Sequence, residues 1–305
     1  MTPTYEGRQY TDPDDLLVDQ GLQFDIATLM NRRGLLHLLG VGAGTVALAA
    51  CAPTASSETT PTAASSASAA SAELTEIPEE TAGPYPGDGS NGADVLEQSG
   101  VVRSDIRSSF GTSTTTAEGV PMTLELTVLD LAGGGAGFAG VAVYVWHCTR
   151  DGGYSMYSEG LTGENFLRGV QIADADGKVS FTSIFPGCYS GRWPHIHFEV
   201  YPDEESITDT ANKLATSQVA LPEAVCRDVY AMDGYAGSGE NLARITLASY
   251  NLLGDDEDAH QLATVSGDTP AGFTDALTVP VDTTTEPTAG GARGDGPPPG
   301  DGGRP

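Results

Sequence analysis

The chain has 305 residues, enough for one large domain or two small ones, and sets 14 Lys and Arg against 42 Asp and Glu for a formal charge of −28. So acidic a protein is repelled by phosphate backbones, which excludes nucleic acid as an expected partner. The ordinary consequence of the charge is solubility.

At the N-terminus, "NRRGLLHLLGVGAGTVALAAC" sets Arg32 and Arg33 before a run of small and aliphatic residues that ends at Cys51. Twin arginines ahead of a moderately apolar segment resemble a bacterial twin-arginine (Tat) export signal, and "LAAC" resembles a lipobox whose cysteine is lipidated after cleavage. The alternative, a transmembrane anchor, is disfavoured because Gly34 to Ala50 is short and interrupted by His37 and several glycines. The expectation is an exported protein held at the outer side of the cytoplasmic membrane or the cell surface by lipid on Cys51, with residues 1–50 as the signal and Met30 as a possible start. Residues 51–75, mostly Ala, Ser, Thr and Pro, cannot bury a core and read as a flexible tether. Residues 283–305 are rich in Gly and Pro and read as a disordered tail, in which the "RGD" at 293–295 is a chance match.

Residues 76–282 hold the folded domain. "PMTLELTVLD" (121–130) alternates, placing Met122, Leu124, Leu126 and Val128 on one face. A Gly-rich connection leads to a second strand in "GVAVYVWHC" (140–148). "GVQIADADGKVSFTSIF" predicts two strands joined as a hairpin at Asp176-Gly177. Asp174 and Asp176 resemble the start of a calcium loop but lack its later ligands, so the hairpin reading is preferred. "HIHFEVY" (195–201), "HQLATVSG" (260–267) and "DALTVPVD" (275–282) supply further strands, and helical periodicity is confined to 205–216 and 222–231. The predicted fold is all-β: a single β-sandwich domain with short helices and long loops. Besides Cys51 there are Cys148, Cys188 and Cys226, of which two could pair in an oxidising compartment; their spacing fits no zinc motif.

"PGCYSGRWPHIHFEV" (186–200) holds two of the five histidines. On a strand His195 and His197 point one way and Ile196 and Phe198 the other. The pair can hold one metal ion, or the strand simply carries two polar rings. Two neutral imidazoles alone bind weakly, so anionic donors are needed. Glu199 and Asp203 are set aside by strand direction or a turn. Tyr189, six residues before His195, offers a phenolate suited to a hard trivalent ion, and Tyr154, just after a Gly pair, is a second candidate that spacing alone does not separate from Tyr157. His147 and His260 are read as strand and surface residues.

With these residues in view, "VWHCTRDGGYS" and "ENFLRGVQIADADGKVSFTSIFPGCYSGRWPHIHFEVY" resemble the core of the intradiol ring-cleavage dioxygenases, the family of protocatechuate 3,4-dioxygenase and catechol 1,2-dioxygenase. Trp146, Gly152, Tyr154, Pro186, Gly187, Tyr189, Arg192, His195 and His197 stand at the positions of its Trp, Gly-x-Tyr, Pro-Gly-x-Tyr and Arg-x-x-His-x-His pattern. "TAGPYP" (81–86) is similar to a segment that enters the family's active-site region. The resemblance implies a mononuclear, non-haem Fe(III) held by Tyr154 and His197 as equatorial and Tyr189 and His195 as axial ligands. It implies a small catecholic substrate and O₂, and ring opening between the hydroxylated carbons to a muconate-type diacid. It also implies that Tyr189 is displaced by substrate and helps take a proton, while Arg192 stabilises negative charge on the ring. Trp193 could narrow the pocket, and a disulfide at Cys188 could stiffen the Tyr189 loop. The N-terminal helical dimerisation region of the catechol 1,2-dioxygenases is expected to have no counterpart, the tether taking its place, and neither oligomeric state nor the particular catechol follows. The rival readings are an iron-containing catechol- or siderophore-binding surface lipoprotein without ring cleavage, and an adhesive lipoprotein with a vestigial metal site.

Overall fold

The computed structural model describes residues 74–247 and 260–287, and the backbone of Thr4–Tyr5 (β1) and Arg8–Gln9 (β2), which pair antiparallel. The chain divides into two units, Met1–Ala72 and Glu73–Pro305. The twin arginines, Cys51, nearly all of the expected tether and the "RGD" lie outside the described residues. Among the described residues no helix is long and apolar enough to cross a membrane.

The second unit contains β3 (Pro121–Asp130), β4 (Ala136–Gly137), β5 (Ala142–Trp146), β6 (Arg168–Ile172), β7 (Lys178–Ile184), β8 (His195–Tyr201), β9 (Ala215–Ala220), β10 (Thr264–Asp268) and β11 (Gly272–Val281), with α1 (Glu223–Tyr230) and α2 (Ser238–Leu242) after β9. One sheet runs β10-β11-β3-β4 with β7 also on β3; the other runs β6-β5-β8-β9. The alternation read in β3 holds: Met122, Leu124, Leu126 and Val128 are buried. They join Val143, Val145, Ile196, Phe198 and Val200 of the second sheet in one apolar core, the expected β-sandwich. Each such side chain contributes about 1.5–3 kcal/mol through burial. The last strand lies parallel to β3, from Phe273 opposite Met122 to Val281 opposite Asp130.

Two local expectations are corrected. The turn at Asp176-Gly177 forms, with Gly177 N–H donating to Asp174 O and Asp174 Oδ1 accepting from two backbone N–H groups. It does not close a hairpin: β6 pairs with β5 and β7 with β3, so the turn carries the chain from one sheet to the other. Val128 N–H donates to Gly177 O and a Cβ on Gly177 would meet Val128 O at 2.1 Å, so the turn is pressed against the spine strand instead of standing free. The helix expected over 205–216 is two 3₁₀ turns, Glu205–Thr208 and Thr210–Asn212, followed by β9. Asp209 is extended and its carboxylate accepts from Ala211 N–H, a local bond that competes with helix continuation. The helix expected at 222–231 is α1.

The cysteine expectation also changes. Cys148, Cys188 and Cys226 are all free and buried, and burial pushes the thiols of Cys148 and Cys188 up to about 12, the protonated and unreactive form.

Candidate metal centre

β8 places its side chains as strand geometry requires. Ile196, Phe198 and Val200 enter the core, and His195 and His197 emerge on the outer face of their sheet, each 2 % exposed. That face is roofed by residues 76–88, a strap along β9: Glu80 N–H donates to Thr216 O, Ser217 Oγ to Pro78 O and Gln218 Nε2 to Thr81 O. Gly83, at φ +68°, brings the strap over the His197 ring.

Two loops deliver the tyrosines. Tyr154 follows the end of β5 and Tyr189 follows β7. Their glycines explain how the loops can touch: a Cβ on Gly152 would lie 3.1 Å from Tyr189 Cβ, and one on Gly187 would lie 2.4 Å from Arg150 O. Gly187 N–H donates to Thr149 O, joining the loops directly. In consequence four donor atoms converge. Tyr154 Oη is 3.3 Å from Tyr189 Oη, Tyr189 Oη is 3.4 Å from His195 Nε2, and His195 Nε2 is 3.0 Å from His197 Nε2.

The electrostatics suit cation binding. Burial, then the Arg192 charge, takes His195 down to about 3; burial and the neighbouring His195 hold His197 well below the usual range. Both rings are therefore neutral, the form in which imidazole binds metals. His195 Nδ1–H donates to Trp193 O at 2.5 Å, which leaves Nε2 as a lone pair aimed into the cluster. Trp146 stacks on His197 with centroids 4.8 Å apart and planes 1° off parallel, fixing the second ring. Burial raises Tyr154 well above the ordinary phenol value, so its oxygen carries a proton that an entering cation would have to displace.

The donor set passes the test of fit for a trivalent iron. Metal bonds of about 2.1 Å at angles of 90–110° put neighbouring donors about 3.0–3.4 Å apart, the spacing present here. Two phenol oxygens, once deprotonated, would supply the hard anionic ligands a trivalent ion favours. Among the described residues no third His, Cys, Asp or Glu joins them in a metal-binding group.

Tyr157 turns away, its hydroxyl accepting from Gly87 N–H and donating to Asn91 Oδ1. Tyr85 of the strap packs on Tyr154, 4.9 Å between centroids. Glu199, expected to be set aside by strand direction, lies on the same face as His197 but is bound to Lys213 Nζ at 2.9 Å and Tyr201 Oη at 2.9 Å. Trp193 does not narrow the site: it is buried in the core, its indole N–H donating to Leu221 O. His147 is also outside the cluster, buried and bonded through Nε2 to Ser183 Oγ. Arg192 is half-buried and its charge depresses both histidines. Sequence reasoning missed Gln218, fully buried and paired across the sheet with His197, its Nε2 holding the strap at Thr81 and its Oε1 unpartnered.

Comparison with known proteins bears on family and fold. Residues 103–197 match the family model described as Dioxygenase. A stretch of 88 residues, 23% of this chain, is 32% identical to the chlorocatechol 1,2-dioxygenase of Rhodococcus opacus, and the match spans about a third of that relative's length (34%). The intradiol ring-cleavage dioxygenase of Tetranychus urticae shares the fold at a TM-score of 0.55 and 19% identity, over 70% of this chain and 97% of that one. A second dioxygenase crystal structure gives a TM-score of 0.54 at 20% identity with the same coverage. Residues 103–197 thus match the Dioxygenase family model, and the chain shares its fold with an intradiol ring-cleavage dioxygenase.

Proposed function

We propose that this protein is a non-haem Fe(III) intradiol dioxygenase that opens a catechol-type ring with O₂ to a muconate-type diacid. The observation that carries the reading is the convergence of Tyr154, Tyr189, His195 and His197 within 3.0 to 3.4 Å of their neighbours in the cluster. Bound by these four residues, a ferric ion would supply Lewis acidity toward the two catechol oxygens.

The chain's own residues divide the remaining work. Tyr154, His195 and His197 are buried to 2 % exposure or less, whereas Tyr189 is partly exposed and meets an incoming diol first. Once displaced, its phenolate oxygen can accept a substrate hydroxyl proton, a base held in place until it is needed. Arg192, close enough to depress both histidines, offers fixed positive charge to electron density developing on the ring. The strap and the stacked Trp146 and Tyr144 wall off the inner side from water.

The test is a visible spectrum of the iron-loaded protein before and after anaerobic addition of catechol, followed by oxygen uptake. A phenolate-to-iron band that shifts with catechol, then ring opening with oxygen consumed, supports the proposal. Iron and catechol bound without oxygen uptake would instead favour a catechol- or siderophore-binding protein. We also propose export and lipid anchoring through Cys51, on the strength of the "NRRGLLHLLGVGAGTVALAAC" segment; labelling with a radioactive fatty acid should fail in Cys51→Ala.

A further inference from the structure

The loop that presents Tyr189 is gripped from a part of the chain lying beyond the family match. Cys188 N–H donates to Ser238 Oγ at 3.0 Å, and Asn241 Nδ2 donates to Cys188 O at 2.9 Å. Both backbone polar groups of the residue before Tyr189 are therefore held by side chains of α2. The grip extends upstream: Tyr235 Oη donates to Phe185 O at 2.8 Å and Tyr230 Oη to Pro186 O at 3.1 Å. The Cys188 side chain is buried in the core, so Tyr189 projects the opposite way, toward the cluster. Downstream, Ser190 and Gly191 are exposed.

We propose that Ser238 and Asn241 are positioning residues for Tyr189, fixing the Cys188 peptide so that the Tyr189 phenol is held at the metal centre yet free to leave on its solvent side. This rests on the reading of Tyr189 as an iron ligand. The physical reason is leverage. The direction of a side chain follows the orientation of its own backbone, and here that orientation is set by two hydrogen bonds instead of a sheet ladder. Ser238 is buried at 3 % exposure, so its hydroxyl has no water to replace Cys188 N–H. Removing such outer support typically costs about 10- to 100-fold in metal affinity.

The experiment compares the full chain, loaded with Fe(III), as wild type, Ser238→Ala, Asn241→Ala, the double variant, Ser238→Thr and Val279→Ala. Val279 lies in the core on β11 and serves as a control for general destabilisation. The double variant is expected to lose or shift the phenolate-to-iron absorption band and to release iron to a chelator about tenfold more readily. Ser238→Thr, which keeps the hydroxyl, should retain the wild-type spectrum, and Val279→Ala should lower the melting temperature without moving the band. If the double variant does not fold, Asn241→Ala, at a half-buried side chain, carries the comparison. A wild-type band and iron affinity in the alanine variants, or an equal change in Val279→Ala, overturns the proposal. A wild type with no band overturns the ligand reading itself, so the two failures are distinct.

Discussion

Tyr154 is buried at 1 % exposure with its hydroxyl aimed at Tyr189, and among the described residues no other hydrogen bond engages that oxygen. Tyr154→Phe removes one anionic donor with little change in shape, so purified protein should contain a small fraction of the wild-type iron while its circular dichroism stays unchanged; Tyr157→Phe should leave iron content intact. Asp275 supplies a second residue-level test. It is fully buried on β11, neither carboxylate oxygen has a hydrogen bond, and burial pushes it up to about 7. A group raised in the folded state stabilises fully below its unfolded value, near 3.8, and that contribution is lost as pH rises through about 7. Relative to Asp275→Asn, the wild type should lose on the order of 2–4 kcal/mol of unfolding free energy between pH 4 and 8, measurable by urea titration. Much of the convergence of Tyr154, Tyr189, His195 and His197 was legible at this scale. The i, i+2 histidines define a face once a strand is granted, whereas Tyr154 and Tyr157 differ only in which way a loop turns, a choice made by hydrogen bonds to Gly87 and Asn91 that spacing does not encode. Gln218 was invisible because it lies on β9, whose residues are buried on both faces and so show no alternation.

Among the elements, the two tyrosine loops depend on each other. Gly187→Ala would push a Cβ into Arg150 O, a backbone atom that cannot swing aside. Both loops would have to part, so the substitution should lower the melting temperature and abolish iron binding together, whereas Gly191→Ala, where a Cβ meets nothing within 4 Å, should lower stability by about 1 kcal/mol through its left-handed backbone alone. Strand β3 was legible because one of its faces is apolar and the other is not. The Asp174–Lys178 turn was legible as a turn but not as a crossover, since which sheet receives β7 is decided by pairing with β3, far away in sequence. The same non-locality hid β9, which is held by β8 on one side and the strap on the other.

For the whole molecule, ligand binding and folding are linked: an ion that binds only the folded state adds stability as its concentration exceeds its dissociation constant, about 2.7 kcal/mol at a hundredfold excess. Iron should therefore raise the melting temperature of the wild type and leave that of His197→Ala unmoved, a comparison scanning calorimetry can make. The strap gives this linkage a direction. From its start, Glu76 Oε1 accepts from Asp282 N–H, Ile77 N–H donates to Pro280 O, Glu79 and Glu80 bind the Thr216 backbone, and Thr81 meets Gln218 just before Gly83 crosses His197. A load applied at Leu74 and directed away from the sheet meets these bonds one after another, as in peeling tape, and not all at once as in shear. Tension would consume the whole length of the strap before it lifted the roof from the histidines, so a domain pulled from that end would surrender its seam first and its candidate metal centre last.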